Sequence, residues 1–401
     1  MIHLESTDEE IRIVAIKRYI EGEKQVDIYE SLGKSKSWLK KWIKRYRTGS
    51  EEWYKDQSKR PHTSNNKIDE RVEAVVVNMR KSLMDGRDES TKYGFVGAES
   101  IQFHMEKLNY VTATIPSQST IKRIIRRNNL RVNKKERYKR IKSKGRYSLI
   151  KPEKIDEMHQ IDFVGPRHIK GYGPINSLHL KDVIGRKVAR NQYTGKSMDN
   201  VIEFLLRYWK SHQIPRYIQV DNGMSFAGDF IHPRSISRFV KLCLFVGIEV
   251  IFIAPAKPWM NGTIEEFNKD FDRLFWKAEL FTSLSDIRKK FKIFLESQNN
   301  FNSWKLEKKD LESITPKRKL KRGFKLDLNE IPLVNGKIHF IRVVNSDGNI
   351  IVLNESFIVG KGYVGEYVWA TINTGQQILN ISYKDENMNV LVIKKYEYII
   401  D

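Results

Sequence analysis

The chain has 401 residues, and 72 Lys and Arg against 49 Asp and Glu give a formal net charge of +23. An excess this large predicts a polyanionic partner, with nucleic acid as the leading candidate and a membrane surface as the weaker one. The hydrophobic fraction of 40% is sufficient for packed cores, which excludes a wholly disordered chain. The length suggests about three domains.

Cysteine content and the apolar segments bear on the cellular compartment. The single cysteine, Cys243, excludes an internal disulfide and a Cys-based zinc site, so we expect a reducing compartment. The first residues lack the basic and apolar segments of a signal peptide, and the longest apolar stretch, 242–255, is too short to span a bilayer. We therefore expect a cytoplasmic protein without membrane contact.

Residues 1–50 are predicted to form a helix-turn-helix domain. Apolar residues recur at helical spacing, Gly33 interrupts the pattern, and Ser35 is placed to cap a third helix. The basic face of this helix predicts contacts to DNA. The residues expected to make them are Lys36, Lys40, Lys41 and Arg45. An ordinary solvated basic face on a three-helix domain is the alternative.

A second helix-turn-helix domain is predicted over 68–130, after a polar linker at 51–67. Its last helix begins at Pro116-Ser117, a start signal for helices. The polar face of that helix carries the expected DNA contacts Lys122, Arg123, Arg126 and Arg127. A basic linker, 131–154, follows; its charge would release counterions from DNA, with Lys139 and Arg140 as expected contacts, although it could also be a merely solvated linker.

Alternating strand and helix patterns over 155–316 predict an α/β domain with a mixed five-stranded sheet. The predicted strands are Met158–Val164, Ile175–Val183, Lys187–Tyr193, Tyr217–Val220 and Glu249–Ile253, and the predicted helices are Asp199–His212, Ser235–Val246 and one starting at Asn261. Another basic linker covers 317–332. Short alternating stretches separated by Gly-containing turns then predict a small five-stranded β-barrel over 333–401.

Three carboxylates occupy informative places in this α/β segment. Asp162 lies in an apolar strand, Asp221 directly follows a strand, and Glu265 lies one turn into a helix. Phosphodiester cleavage and transfer are catalysed by two divalent cations about 3.5–4 Å apart, and Mg²⁺ prefers carboxylate ligands. We therefore predict a site for two Mg²⁺ or Mn²⁺ ions, with Asp162 as the bridging ligand and the other two acids holding one ion each.

Each of these acids has an alternative. Asp221 could merely begin a turn with Asn222 and Gly223. Glu266 adjoins Glu265 but points about 100° away around the helix, so only one of them can face the site, and Glu265 is favoured. The nearby acids Asp156 and Asp182 are interpreted as solvated or turn residues, and His159 as a packed or hydrogen-bonded histidine.

Three motifs resemble those of the DDE transposases of prokaryotic insertion sequences, which have an integrase core related to retroviral integrases. They are 159–163 (HQIDF), 220–226 (VDNGMSF) and 255–265 (PAKPWMNGTIE), within a similarity that covers about 155–316. The resemblance implies a ribonuclease-H-like core with Asp162, Asp221 and Glu265 as catalytic metal ligands. Within the third motif, Lys257 and Asn261 are expected to contact DNA.

The same resemblance implies an activity and partners. The protein is expected to bind terminal inverted repeats in double-stranded DNA, to hydrolyse strand ends and to join the 3′-hydroxyls to target DNA, as a homo-multimer on paired ends in the prokaryotic nucleoid. The chain departs from the family in its longer spacing between Asp221 and Glu265, in the presence of Glu266, and, relative to retroviral integrases, in lacking a zinc domain. The alternatives are a DNA-binding regulator with an inert core and a structure-selective nuclease that does not join ends.

Overall fold

The computed structural model of the protein describes residues 7–56, 68–107, 115–132, 147–228 and 232–400. The chain divides into two units, Met1–Ile68 and Asp69–Asp401. Most of the first predicted linker and the 133–146 part of the second, including Lys139 and Arg140, lie outside the described residues. Within the described residues, no helix combines the length and the apolar composition needed to cross a bilayer.

The first unit contains the predicted helix-turn-helix arrangement. Its helices are α1 (Asp8–Ile20), α2 (Gln25–Ser31) and α3 (Lys36–Tyr46). Ser35 caps α3 as predicted, because its hydroxyl accepts a hydrogen bond from the Trp38 amide at 3.2 Å. Gly33 has a φ of +64° in the turn before that cap, a conformation that glycine adopts without strain. The apolar faces of the helices meet around Ile16, Ile28 and Trp42.

The second unit begins with three helices, α4 (Glu70–Asp85), α5 (Ala98–Lys107) and α6 (Gln118–Arg127). The predicted cap at Ser117 is present, since its hydroxyl accepts from the Thr120 amide at 3.4 Å. Five further helices follow: α7 (Met198–Trp209), α8 (Met224–Ala227), α9 (Arg238–Phe245), α10 (Gly262–Asp270) and α11 (Leu284–Glu307). Helix α5 packs on α11 through Phe103 and Trp304, whose ring centroids are 5.5 Å apart.

Eleven strands are present in the described part of this unit. They are β1 (Met158–Ile169), β2 (Gly173–Asp182), β3 (Val188–Tyr193), β4 (Tyr217–Val220), β5 (Glu249–Phe252), β6 (Lys337–Val343), β7 (Asn349–Val352), β8 (Glu355–Ile358), β9 (Tyr367–Asn373), β10 (Ile378–Lys384) and β11 (Val390–Glu397). Nine of them form one sheet in the order β11, β10, β9, β6, β5, β4, β1, β2, β3. Strands β1, β4, β5 and β6 are parallel neighbours, and the other pairs are antiparallel.

The multidomain layout and the mixed α/β sheet are confirmed, but the arrangement of the C-terminal strands requires a correction. Instead of a separate five-stranded barrel, β6 pairs in parallel with β5, and β9, β10 and β11 extend the core sheet further; β7 and β8 form a separate hairpin. Without β6, the buried strand β5 would be an unprotected sheet edge. The Phe252 and Phe340 rings stack at 5.0 Å across this junction. The sheet therefore continues the five predicted strands into the C-terminal segment.

Candidate active site

Strand register explains how two of the three predicted acids come together. Strands β1 and β4 are parallel, and their last paired residues are Gln160 and Gln219. Asp162 and Asp221 each lie two residues beyond this pair. Because parallel neighbours are about 4.8 Å apart and side chains alternate with period two, the two carboxylates project from the same side at adjacent positions.

The same two glutamines hold the helix that carries the third acid. The Gln160 Oε1 accepts a hydrogen bond from the Ile264 amide at 2.9 Å, in the first turn of α10. The Gln219 Nε2 donates to the Met260 carbonyl at 2.8 Å and to the Asn261 Oδ1 at 3.0 Å. Since the first amides of a helix have no intrahelical partner, these bonds fix the start of α10 against the strands.

Asn268 lies one turn after Glu265 on α10 and touches the first acid directly. Its Nδ2 donates to the Asp162 Oδ2 at 2.9 Å. Its Oδ1 lies 2.8 Å from the Nδ1 of His179, which faces Asp162 across the β1–β2 pair. Residues three apart on a helix share a face, so Glu265 is directed to the same side as Asn268. The motif gave no sign of this amide contact.

The ionisation of Asp162 depends first on its burial and then on the other two acids. Burial, together with the negative charges of Asp221 and Glu265, raises the pKa of Asp162 from 3.8 to about 7. The Phe163 amide and the ammonium of Lys196 oppose this shift. Neighbouring negative charges favour the protonated form of a carboxyl group. A bound divalent cation would neutralise these charges and favour the ionised form instead.

The turn that carries Asp221 is tied to the C-terminal strands. The Asp221 Oδ1 accepts from the Gly223 amide at 2.9 Å, so the residue also makes the turn that was its alternative role. Asn222 donates through Nδ2 to the Ile253 carbonyl at 2.7 Å, and its Oδ1 accepts from the Arg342 guanidinium at 3.1 Å. Burial lowers the pKa of Arg342 to about 10. Sequence reasoning missed this arginine because β6 was assigned to another domain.

The two adjacent glutamates of α10 point to different surroundings. Glu265 is part-buried, affects the ionisation of Asp162 and lies 3.6 Å from the Lys269 Nζ. Glu266 is more exposed and lies 3.4 Å from an Arg186 nitrogen, away from the other acids. The geometry therefore favours Glu265 as the third member of the predicted trio.

A second acidic group lies on the other side of β1. The ligand atoms of Asp156, His159 and Asp182 lie within 4.8 Å of one another, the one such group among the described residues. By spacing alone it could hold a metal ion. The ligand atoms of the predicted trio do not all lie within this distance of one another. His159 is three residues before Asp162 and so faces the opposite side of the strand.

This second group is internally hydrogen-bonded. The Asp182 carboxylate accepts from the backbone amides of Asp156, Ile184 and Gly185 at 2.9–3.2 Å. His159 is fully buried, with its Nε2 3.1 Å from the Asp156 Oδ1. Asp182 is thus a turn residue as predicted, but it is buried rather than solvated, and His159 is packed and hydrogen-bonded as interpreted.

The predicted DNA contacts on α3 and α6 lie mostly on exposed surface. Lys36, Lys40 and Lys41 are exposed, whereas the Arg45 guanidinium is part-buried over the Trp42 ring and donates to the Lys55 carbonyl at 3.1 Å. On α6 the side chains of Lys122, Arg123, Arg126 and Arg127 are exposed. Arg127 is also bound to Glu73 of α4.

The two expected DNA contacts of the third motif differ in accessibility. Lys257 is half-buried, with its Nζ 5.0 Å from the Trp259 ring centroid. Asn261 is 4% exposed and accepts the hydrogen bond from Gln219, so its side chain is occupied inside the protein. This side chain thus helps the Gln219 side-chain amide to hold the start of α10, and its contact with DNA stays a prediction.

Comparison with known proteins identifies two domains. Residues 6–52 match a homeodomain-like domain, and residues 246–303 match an integrase core domain that includes Glu265. No curated protein matches the chain.

Retroviral integrases are among the solved structures that are similar to this chain. The catalytic core domain of BIV integrase is 17% identical, with a TM-score of 0.27 over 35% of this chain and 82% of that one. The magnesium complex of the HTLV-2 integrase catalytic core domain is 15% identical, with a TM-score of 0.26 over 41% and 94%. A simian T-cell lymphotropic virus intasome in complex with PP2A regulatory subunit B56 gamma is 12% identical, with a TM-score of 0.32 over 76% and 95%.

Proposed function

We propose that this chain is an integrase-core transposase that binds the terminal inverted repeats of a DNA element, hydrolyses the strand ends and joins the 3′-hydroxyls to target DNA. The matches to a homeodomain-like domain and to an integrase core domain support this proposal. The observation that carries the proposal is the convergence of Asp162, Asp221 and Glu265. Asp162 lies on β1, Asp221 in the turn after β4, and Glu265 on α10. The negative charges of Asp221 and Glu265 both raise the pKa of Asp162. Such a cluster of hard oxygen ligands suits divalent cations.

The residues present fit a pair of Mg²⁺ or Mn²⁺ ions. When bound, such ions activate the attacking oxygen and stabilise the charge that develops on the phosphate and on the leaving oxygen. Asp162, which interacts with both other acids, would be the ligand shared by the two ions, and Asp221 and Glu265 would each hold one of them. Cation binding would release the proton that Asp162 holds near neutral pH.

The neighbouring side chains hold this site in place. Asn268 donates to Oδ2 of Asp162 and thereby orients this carboxylate. His179, fully buried and with its pKa lowered by burial to about 4, stays neutral and can donate from Nδ1 to Asn268. This fixes the amide so that its NH₂ group faces Asp162. Preorganisation of this kind reduces the reorganisation needed during phosphoryl transfer.

DNA binding is assigned to the basic helices. In a helix-turn-helix domain the last helix enters the major groove, which here places the exposed lysines of α3 against bases and phosphates. The basic face of α6 and the linker 131–154 would contact further phosphates. We also propose that the protein acts as a homo-multimer on paired ends, in the prokaryotic cytoplasm, where DNA is accessible.

Adjacent glutamates on α10 supply a matched test. Joining of pre-cleaved inverted-repeat ends to a plasmid, in the presence of Mg²⁺, should be abolished in Asp162→Asn, Asp221→Asn and Glu265→Gln. Glu266→Gln should join ends at the wild-type rate, because its side chain points away from the trio. Gel-shift affinity for the ends should remain similar in all four variants.

The same assay separates the alternatives. Loss of joining in Glu266→Gln with retention in Glu265→Gln would transfer the role to Glu266. Wild-type protein that binds ends but neither nicks nor joins them would indicate a regulator with an inert core. Cut ends without joined products would indicate a nuclease.

A further inference from the structure

A cavity of about 410 Å³ lies between α5, β2, α10 and α11, all in the second unit. It lies on the side of α10 that carries Glu266, whereas Glu265 of the predicted trio faces the other way. Its apolar wall consists of Phe95, Ile184, Phe267, Phe301 and Leu306. Its volume falls at the small end of the range of ligand sites in proteins, which are also concave and mostly apolar.

Lys181 of β2 contributes a charged group to this wall. The residue is 6% exposed, and β2 holds its backbone between Gln160 of β1 and Val188 of β3. Its ammonium makes no hydrogen bond or ion pair with any residue that the structure describes. The Phe267 ring centroid lies 5.7 Å from Nζ, and the carboxylates of Glu266 and Asp270 act on the ammonium at longer range. Burial lowers the pKa of Lys181 to about 8. A lysine side chain this buried whose ammonium makes no ion pair is only partly compensated, so the cavity favours an added anion.

Each acidic group around the cavity forms an ion pair with a cation other than Lys181, although Glu266 and Asp270 also act on Lys181 at longer range. Glu99 lies 2.8 Å from the Lys305 Nζ, Glu266 lies 3.4 Å from Arg186, and Asp270 lies 2.8 Å from Arg273. Lys309 adds a further exposed cation at the rim. The lining therefore combines an apolar body with a surplus of positive charge at Lys181.

We propose that this cavity binds a small organic anion, whose carboxylate pairs with the Lys181 ammonium while its apolar part packs against Phe267 and Phe301. An aromatic or branched carboxylic acid satisfies both features. Inorganic phosphate could pair with the ammonium but has no apolar part to pack against the wall. A neutral amide of the same shape could pack against the wall but carries no negative charge. Each therefore isolates one part of the recognition.

The test is calorimetric titration of the full chain with 4-phenylbutyrate, 4-phenylbutyramide and inorganic phosphate. The carboxylate should bind about tenfold or more tightly than the amide, because a hydrogen bond to a buried charge adds about 1.5–3 kcal/mol. It should also bind more tightly than phosphate. Lys181→Met should reduce carboxylate binding to the level of the amide. Lys170→Met, at an exposed lysine in the turn between β1 and β2, should leave it unchanged.

A second measurement on the wild-type chain needs no variant. Acetylation by acetic anhydride, mapped by peptide mass spectrometry, should be slowed at Lys181 by 4-phenylbutyrate and remain unchanged at Lys170. Equal binding of the carboxylate and the amide, carboxylate binding retained in a folded Lys181→Met variant, or the absence of both binding and protection would overturn the proposal.

Discussion

Replacing Asp162 by Asn should stabilise the metal-free protein while abolishing strand joining. The pKa of this carboxyl is raised from 3.8 to about 7 in the folded chain, first by burial and then by Asp221. The folded pKa lies above the unfolded one, so folding takes up a proton and stability falls as pH rises from about 4 to 7. A shift of about three units corresponds to about 4 kcal/mol of destabilisation above pH 7. Asparagine keeps the shape of the side chain and removes this penalty.

The size of the effect can be converted into a melting temperature. The unit 69–401 has 333 residues, and an unfolding entropy of about 2.1 cal/mol/K per residue gives about 0.7 kcal/mol/K. In EDTA at pH 8, Asp162→Asn should therefore melt up to about 6 °C higher than the wild type. At pH 5 the gain should shrink to about 2 °C, since the wild-type carboxyl is then protonated when folded.

Calorimetric unfolding at the two pH values checks this, with Asp347→Asn as the control, an exposed acid in a turn after β6. The control should change little at either pH. Added Mg²⁺ should raise the melting temperature of the wild type more than that of Asp162→Asn. A variant no more stable than the wild type at pH 8, or one with the same gain at both pH values, would show that the three acids are not crowded as described.

Two further predictions concern the support of the site and the DNA contacts. Arg342→Met should lower strand joining about ten- to hundredfold while the affinity for DNA ends is kept, because it removes the guanidinium that holds Asn222 beside Asp221. The matched control is Arg322→Met, at an exposed linker arginine. An unchanged joining rate in a folded Arg342→Met variant would contradict this prediction. Lys40→Ala and Lys41→Ala should each weaken DNA binding. If the side chain contacts a phosphate, each should also reduce the slope of log affinity against log salt concentration by about one, measured from 50 to 200 mM salt. Unaltered slopes would show that these two lysines do not contact the DNA backbone.

Sequence periodicity and caps were sufficient for the local elements. The helical spacing and Ser35 predicted the α3 helix, and the run from Tyr217 to Val220 predicted β4, because short-range sterics and hydrogen bonding determine these choices. The motifs also located the three acids of the predicted site, two of which the structure places at equivalent positions beyond the paired residues of β1 and β4. Their separation along the chain did not predict how far apart they lie in space. For Asp162 and Asp221, this distance is set by the register of the parallel strands β1 and β4.

Tertiary structure alone decided which side chains support and surround the site. A helix wheel separates Glu265 from Glu266 by about 100°, but only the packing of α10 against β1 shows which one faces Asp162. Arg342 reaches Asn222 because β6 joins the edge of β5, a pairing between strands about 90 residues apart for which alternation gives no partner. The burial of Asn261 and Lys181 could not be predicted either. The sequence shows only that these residues are polar, because the segments that cover them lie far away along the chain.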